Sequence, residues 1–181
     1  MTTIQAPEYV QTDRLTLRRP LASDAQAIFD RYAADSEVTR YLAWPRHRSI
    51  TDSEVFVGFS DGEWQRWGCG PYLAFAKEGG ELLGSTGLAF ESRDVASTGY
   101  VFARDAWGQG YATESLRAMI DLATTMGIRR LYAICHVEHG ASRRVMEKCG
   151  LTREGVLPRH TVFPNLSVGA CDVLCYSIGL Y

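Results

Sequence analysis

The chain has 181 residues, 46% hydrophobic and 22% charged, and its 19 Lys and Arg against 21 Asp and Glu give a formal charge of −2. That length fills one hydrophobic core and falls short of two, so residues 1–181 are expected to form a single domain. A near-neutral balance without runs of one sign argues against nucleic acid or another polyanion as partner, and no stretch approaches the roughly 18 apolar residues of a membrane span.

RLTLRR, Arg14 to Arg19, alternates apolar and polar residues at the period of a half-exposed strand, and Pro20, Ser23 and Asp24 behind it break the strand and cap a helix. Ala25, Ile28, Phe29 and Tyr32 then recur at helical spacing. A second helix is expected from Thr51 or Asp52 to about Trp64, with Val55, Phe56 and Phe59 facing inward. YLAFAK, Tyr72 to Lys77, and ELLGSTGLAF, Glu81 to Phe90, read as strands of a hairpin turning at Glu78, Gly79 and Gly80; TGYVFAR, Thr98 to Arg104, is a third strand. Past WGQGYATES, Trp107 to Ser115, the pattern changes, because Ala112, Leu116, Met119, Ile120 and Ala123 share one helical face until Gly127 ends it. RLYAIC, Arg130 to Cys135, is apolar on both faces, the pattern of an interior strand parallel to a neighbour. Gly140 to Lys148 is a short helix, and LTREGVLPRH with ACDVLCYSIGL forms a last antiparallel pair joined around Pro164, Asn165 and Gly169. With no internal repeat, this order gives an α+β fold on a mixed sheet.

Five cysteines, Cys69, Cys135, Cys149, Cys171 and Cys175, form no CxxC pair, and their odd number points to buried thiols rather than a disulfide framework. The first residues, MTTIQAPEYVQTDR, lack the basic-then-apolar layout of a secretory leader, which makes the cytoplasm the expected location and a membrane partner unexpected. His136 and His139 lie near Cys135 in ICHVEH, but no second cluster offers ligands at a recognisable spacing, so no metal is expected.

The chemistry concentrates at WGQGYATES. A helix N-terminus presents backbone N–H groups without intrahelical acceptors and the positive end of the helix dipole; Gly108 and Gly110 remove the Cβ atoms that would keep an anion from them. The same pair also suits a tight turn alone. A dinucleotide fingerprint would need a third glycine where Thr113 stands, and GxxxxGK[ST] is absent.

WGQGYATES, with GYVFARDA before it and HGASRRVMEKCGL after it, closely resembles the GNAT family of N-acetyltransferases, in the branch of the ribosomal-protein N-terminal acetyltransferases RimJ and RimL. TDRLTLRRPLASDA resembles that branch's opening strand and helix and EKCGLTREGVL its late helix and strand, so the likeness spans nearly the whole chain. It implies an acetyl-CoA-dependent N-acetyltransferase on a twisted, mostly antiparallel sheet of about seven strands, splayed in the middle and flanked by about four helices. In the family a Q/R-x-x-G-x-G/A turn wraps the pyrophosphate of acetyl-CoA; here it falls on Trp107, Gly108, Gln109, Gly110, Tyr111 and Ala112, with Thr113 next, and Trp107 stands where the family has Gln or Arg. The pantetheine arm is implied to lie along Val101, Phe102 and Ala103, where a backbone amide would polarise the thioester carbonyl.

The family Asn that bonds the arm at the start of the next helix is His139 here, a departure. Ser142 matches the family serine and is implied to donate to the leaving thiolate, although a helix-start serine also bonds backbone. The tyrosine that many relatives carry four residues later is Met146, and Arg144, beside Arg143, is implied to reach the phosphates. Relatives place a glutamate where Thr98 stands, and Glu91, at the end of the preceding strand, is the substitute candidate for the base. Tyr41, Trp44, Trp64, Trp67 and the loop from Arg159 to Asn165 are implied to line the acceptor pocket. A protein N-terminal amine and a small-molecule amine both suit the acceptor, and a monomer and a homodimer both suit the assembly. Thr98, His139 and Met146 keep a second reading alongside, a non-catalytic acyl-CoA-binding module with a degenerate GNAT site.

Overall fold

A computed structural model describes residues 5–181; Met1 to Ile4, which belong to the leader pattern weighed above, lie outside the described residues. Eight strands form one sheet: β1 Tyr9–Gln11, β2 Leu15–Arg18, β3 Pro71–Ala76, β4 Leu82–Phe90, β5 Val95–Phe102, β6 Arg130–His136, β7 Thr152–Val162 and β8 Ala170–Gly179. Their spatial order is β1-β2-β3-β4-β5-β6-β8-β7. Every neighbouring pair is antiparallel except β5 and β6, which run parallel. The strand beyond the expected seven is β1, three residues that pair with Thr16 to Arg18 and are too short to show a period of their own.

Among the described residues four α-helices accompany the sheet: α1 Ala25–Ile28, α2 Ile50–Trp67, α3 Tyr111–Thr125 and α4 Gly140–Lys148. A 3-10 turn, Ala22–Asp24, leads into α1 and a π-helical turn, Phe29–Ala33, continues it. Asp24 fixes this start by accepting two hydrogen bonds from the Arg18 guanidinium, at 2.8 and 2.7 Å, and one from the Leu21 N–H at 2.7 Å. Ile28, Tyr32 and Ala33 are buried with Val57, Leu73 and Leu82.

The inward face of α2 differs from the expectation. Val55 and Phe59 are 67% and 58% exposed, and the buried stripe is Ser53, Val57, Ser60 and Trp64. Those positions repeat at helical spacing, but two of them are serines, so hydrophobicity marks the wrong side of the helix. In contrast α3 buries Leu116, Met119 and Ala123 as its periodicity predicts, with Ala112 and Ile120 half-buried and Leu122 added to the buried face. Met146 of α4 is fully buried against Leu116, Ala133 and Leu174.

One irregularity of the sheet lies between β5 and β6. β5 pairs with β6 only at Val95↔Arg130, Ala96↔Leu131 and Ser97↔Tyr132. On its other edge β5 stays paired with β4 as far as Gly84↔Phe102, and β6 stays paired with β8 from Arg130 to His136. The two strands therefore diverge beyond Ser97, leaving a wedge-shaped gap inside the sheet, closed at Val95 and open toward Phe102 and His136.

Candidate functional site

Val101, Phe102 and Ala103 line the β5 side of the gap. Phe102 and Ala103 are buried, so their side chains are spent on packing, while the backbone edge toward β6 has no ladder partner beyond Ser97. A 3-10 turn, Arg104–Ala106, then leads to the glycine loop. The Trp107 indole N–H donates to the Phe102 carbonyl at 2.8 Å, and the Gln109 side-chain amide donates to the Asp105 carbonyl at 2.6 Å. Gly108 and Gly110 have φ of 72° and 84°, the left-handed region that favours glycine. No side chain caps α3, so the first-turn N–H groups of Tyr111, Ala112 and Thr113 have no intrahelical acceptor.

A clasp from the turn before β2, unforeseen in the sequence, holds this loop. The Arg14 guanidinium donates to Glu114 at 2.8 Å and to the Gln109 carbonyl at 2.9 Å, and lies 4.5 Å from the centre of the Tyr111 ring. Glu114 also accepts the Arg14 N–H at 2.7 Å and the Thr12 hydroxyl at 2.5 Å. Burial alone would raise the Glu114 pKa, but the hydrogen bonds from Thr12 and Arg14 outweigh it and hold the carboxyl below its ordinary value. The cue was the TDR triplet before β2, which has no periodicity and so carries no signal of a contact 100 residues away.

Ser142 sits in the first turn of α4, where its Oγ is 2.9 Å from the Tyr100 hydroxyl. That hydroxyl donates to the Ser142 carbonyl at 3.0 Å, which leaves the serine as donor in the hydroxyl pair. Burial raises the Tyr100 pKa and keeps it protonated, and burial also pushes the neighbouring Cys135 thiol up to about 11. Cys135 is therefore a neutral thiol. Tyr100 reads in the sequence as an ordinary core tyrosine of β5. Its partner is visible only when α4 folds over the gap.

On the opposite flank the segment between the π-helical turn and α2 brings Tyr41 to the open end of β6. Its ring stacks on His136 at 5.1 Å and on His139 at 4.8 Å, and Phe163 meets His136 edge-on at 5.3 Å. His139 caps α4 through its backbone with no side-chain cap bond, and burial followed by the field of His136 lowers its pKa. Trp44 lies against His47, 5.1 Å between ring centres. Asn165, beyond β7, ties this segment down. Its amide donates to the Thr39 and Trp44 carbonyls at 2.8 and 2.9 Å and accepts the Arg46 N–H at 2.8 Å.

Four expectations about the site are corrected. Glu91 lies at the closed end of the gap, where its N–H bonds the Val95 carbonyl and its carboxylate accepts the Tyr132 hydroxyl. Tyr100 lies about 17 Å further along β5, out of reach of Glu91. Trp67 stacks on Phe90 at 5.5 Å, near that same closed end, and so does not join Tyr41 and Trp44. Trp64 is buried against Tyr72 and donates to the Pro71 carbonyl, a core role. The loop assigned to Arg159–Asn165 begins later, because β7 runs to Val162 through a register shift between Leu157 and Thr161. Arg144 is exposed on α4, while Arg143 pairs with Glu147 at 3.8 Å. Among the described residues no three His, Cys, Asp or Glu side chains converge as metal ligands.

A family model described as acetyltransferase (GNAT) domain matches residues 14–152. The chain is 31% identical over 160 residues to YoaA of Bacillus subtilis, described as an uncharacterized N-acetyltransferase, covering 83% of this chain and 86% of that protein. Among solved structures it is similar to RimL, a ribosomal L7/L12 alpha-N-protein acetyltransferase in complex with coenzyme A, with 24% identity, a TM-score of 0.85 and coverage of 96% and 98% of the two chains. It is also similar to the microcin C7 self-immunity acetyltransferase MccE in complex with acetyl-CoA and AMP, with 22% identity, a TM-score of 0.83 and coverage of 93% and 94%.

Proposed function

Because this chain belongs to the GNAT family of acetyltransferases, we propose that the gap between β5 and β6 is its catalytic cleft, where a primary amine attacks acetyl-CoA directly. The enzyme is an acetyl-CoA-dependent N-acyltransferase. One coincidence carries the assignment of the site: an unpaired strand edge ends where an uncapped helix begins, joined by a loop whose glycines hold positive φ. The edge suits the amide-bearing arm of the coenzyme and the helix terminus suits its pyrophosphate. Coenzyme A in RimL and acetyl-CoA in MccE support this placement.

The donor supplies an acetyl thioester, and the chain's own groups do the rest. A backbone amide of Val101 or Phe102 polarises the carbonyl, since the Ala103 N–H is held by the Leu83 carbonyl at 2.7 Å; the first-turn amides of α3 hold the phosphates, and Arg144 stands by as a further cation. Ser142 turns its proton from Tyr100 to the departing sulfur, and the Tyr100 hydroxyl then turns from the Ser142 carbonyl to the bare Oγ and replaces it, taking the acid role that Met146 cannot fill. Tyr41 and Trp44 border the acceptor entrance, with Asn165 as their anchor. Two of the three departures that recommended a degenerate site have structural uses: the Thr98 hydroxyl bonds the Gly87 carbonyl at 2.8 Å, and Met146 fills the core.

Thiol release from acetyl-CoA, measured across short peptides with free N-termini, polyamines and arylalkylamines, tests the reading and names the acceptor class. Turnover with peptides and not with small amines assigns a protein N-terminus; the reverse assigns a small-molecule acceptor. Tight acetyl-CoA binding without turnover on any amine would leave the non-catalytic module.

A further inference from the structure

With Glu91 removed from the cleft, the open end still needs a group to accept the ammonium proton. We propose that His139 is that group, a general base for acetyl transfer, standing between Ser142 on the coenzyme side and Tyr41 on the acceptor side. The proposal rests on the gap between β5 and β6 being the catalytic cleft.

Three observations carry it. His139 precedes Ser142 by one helical turn, so both side chains rise on the same face at the start of α4, and Ser142 is fixed over the gap by Tyr100. The His139 ring stacks on Tyr41 at 4.8 Å, which places it at the junction of α4 with the segment bordering the acceptor entrance. Its backbone is pinned on both sides, with its N–H donating to the His136 carbonyl at 2.8 Å and its carbonyl accepting the Arg143 N–H at 3.2 Å, so the ring is held while no hydrogen bond occupies its nitrogens among the described residues. His136 differs in that its Nδ1 already accepts the Glu138 N–H at 3.2 Å.

The charged and titratable neighbours are few. His136 approaches from β6, and Tyr41 carries the Arg40 guanidinium 5.3 Å from its ring centre. Glu138 and Arg143 flank His139 in its own segment. Burial and His136 both lower the His139 pKa from its ordinary 6.5, which keeps the ring neutral and able to accept at physiological pH. An α-amine, with a pKa of about 7.7 to 8.0, arrives mostly as ammonium at pH 7 and must lose a proton to attack. In the step, the His139 nitrogen takes that proton and the freed nitrogen pair forms the C–N bond. The C–S pair departs with sulfur, which Ser142 protonates. The amide formed releases its second N–H proton to solvent.

His139→Asn restores the family's side chain and separates the two roles this position can have. If His139 is the base, kcat with the fastest amine of the panel falls about a hundredfold, KM for acetyl-CoA stays within about twofold, and the acidic limb of the kcat profile, expected below pH 6.5 in the native enzyme, disappears. Unchanged kcat and an intact limb would overturn the proposal, as would loss of that limb in His136→Asn but not in His139→Asn. The imidazole C2 proton resonance that vanishes in His139→Asn should titrate below 6.5 in the native protein, and a midpoint at or above 6.5 would also overturn it. No turnover by the native enzyme on any amine would sink acetyl transfer itself, and this role with it. A raised acetyl-CoA KM at unchanged kcat would return His139 to holding the coenzyme.

Discussion

Gly110 carries two burdens that a single substitution cannot separate. Its φ of 84° strains any side chain, and its position exposes the α3 amides to an anion. Gly110→Val is therefore expected to cost about 1 to 2 kcal/mol of stability from the backbone alone and, in addition, to raise the acetyl-CoA KM tenfold or more through lost hydrogen bonds to a charged group. Gly79→Val supplies the control, since Gly79 has φ 81° in open space at the β3–β4 turn. It should show a similar thermal cost with an unchanged KM, and equal KM values in both variants would remove the coenzyme from the loop. Tyr100→Phe tests the relay: kcat should fall about tenfold with acetyl-CoA KM unchanged, because the Ser142 hydroxyl remains while its partner is lost. An unaltered kcat would make Tyr100 a strut between β5 and α4.

Among the elements, the segment bearing Tyr41 and Trp44 has no regular structure of its own, and its shape comes from its anchors. Asn165 satisfies two carbonyls and one N–H within it, and Arg104, just before the glycine loop, reaches Asp35 at its start with a 2.8 Å ion pair. Asn165→Ala is expected to cost about 2 kcal/mol in stability and to raise the KM for the amine several-fold, with acetyl-CoA KM unchanged; equal shifts in both constants would deny the segment an acceptor role. Such long-range anchors explain what was legible in the sequence. α3 declares itself because it buries one periodic face, β6 because it is apolar on both faces, and WGQGYATES because positive φ demands glycine. The inward serines of α2 and the clasp of Arg14 on Glu114 follow from contacts between distant segments, which a linear pattern does not encode. Glu91 misled for a related reason: adjacency to a strand end does not say which end of the gap that strand end occupies.

At the scale of the whole sheet, a gap in its centre needs a firm seal at its closed end. Glu154 of β7 provides part of it, accepting from Arg130 of β6 at 2.7 Å, from Ser177 of β8 at 2.6 Å and from the Cys175 thiol at 3.3 Å. The bonds from Ser177 and Arg130 lower its pKa from 4.5 to about 2. A depressed carboxyl stabilises the fold above its unfolded value and loses that contribution as pH falls through the folded one. Glu154→Gln should therefore be less stable than the native protein above pH 4.5 and converge with it as pH approaches 2. Because both partners are 42% exposed, the difference should stay within about 1 kcal/mol. Chemical denaturation at pH 7 and at pH 2.5 checks it, and a constant difference would remove the ionic origin.

The wedge between β5 and β6 also bears on how far such a chain can drift. As the proposed cleft, a gap edged by main chain asks of Phe102 and Ala103 only that they fill the core behind it, so the alphabet permitted there is set by volume and not by a ligand. Most of the letters can then differ while the opening persists. A chain sharing 24% of its residues with RimL at a TM-score of 0.85 fits that tolerance.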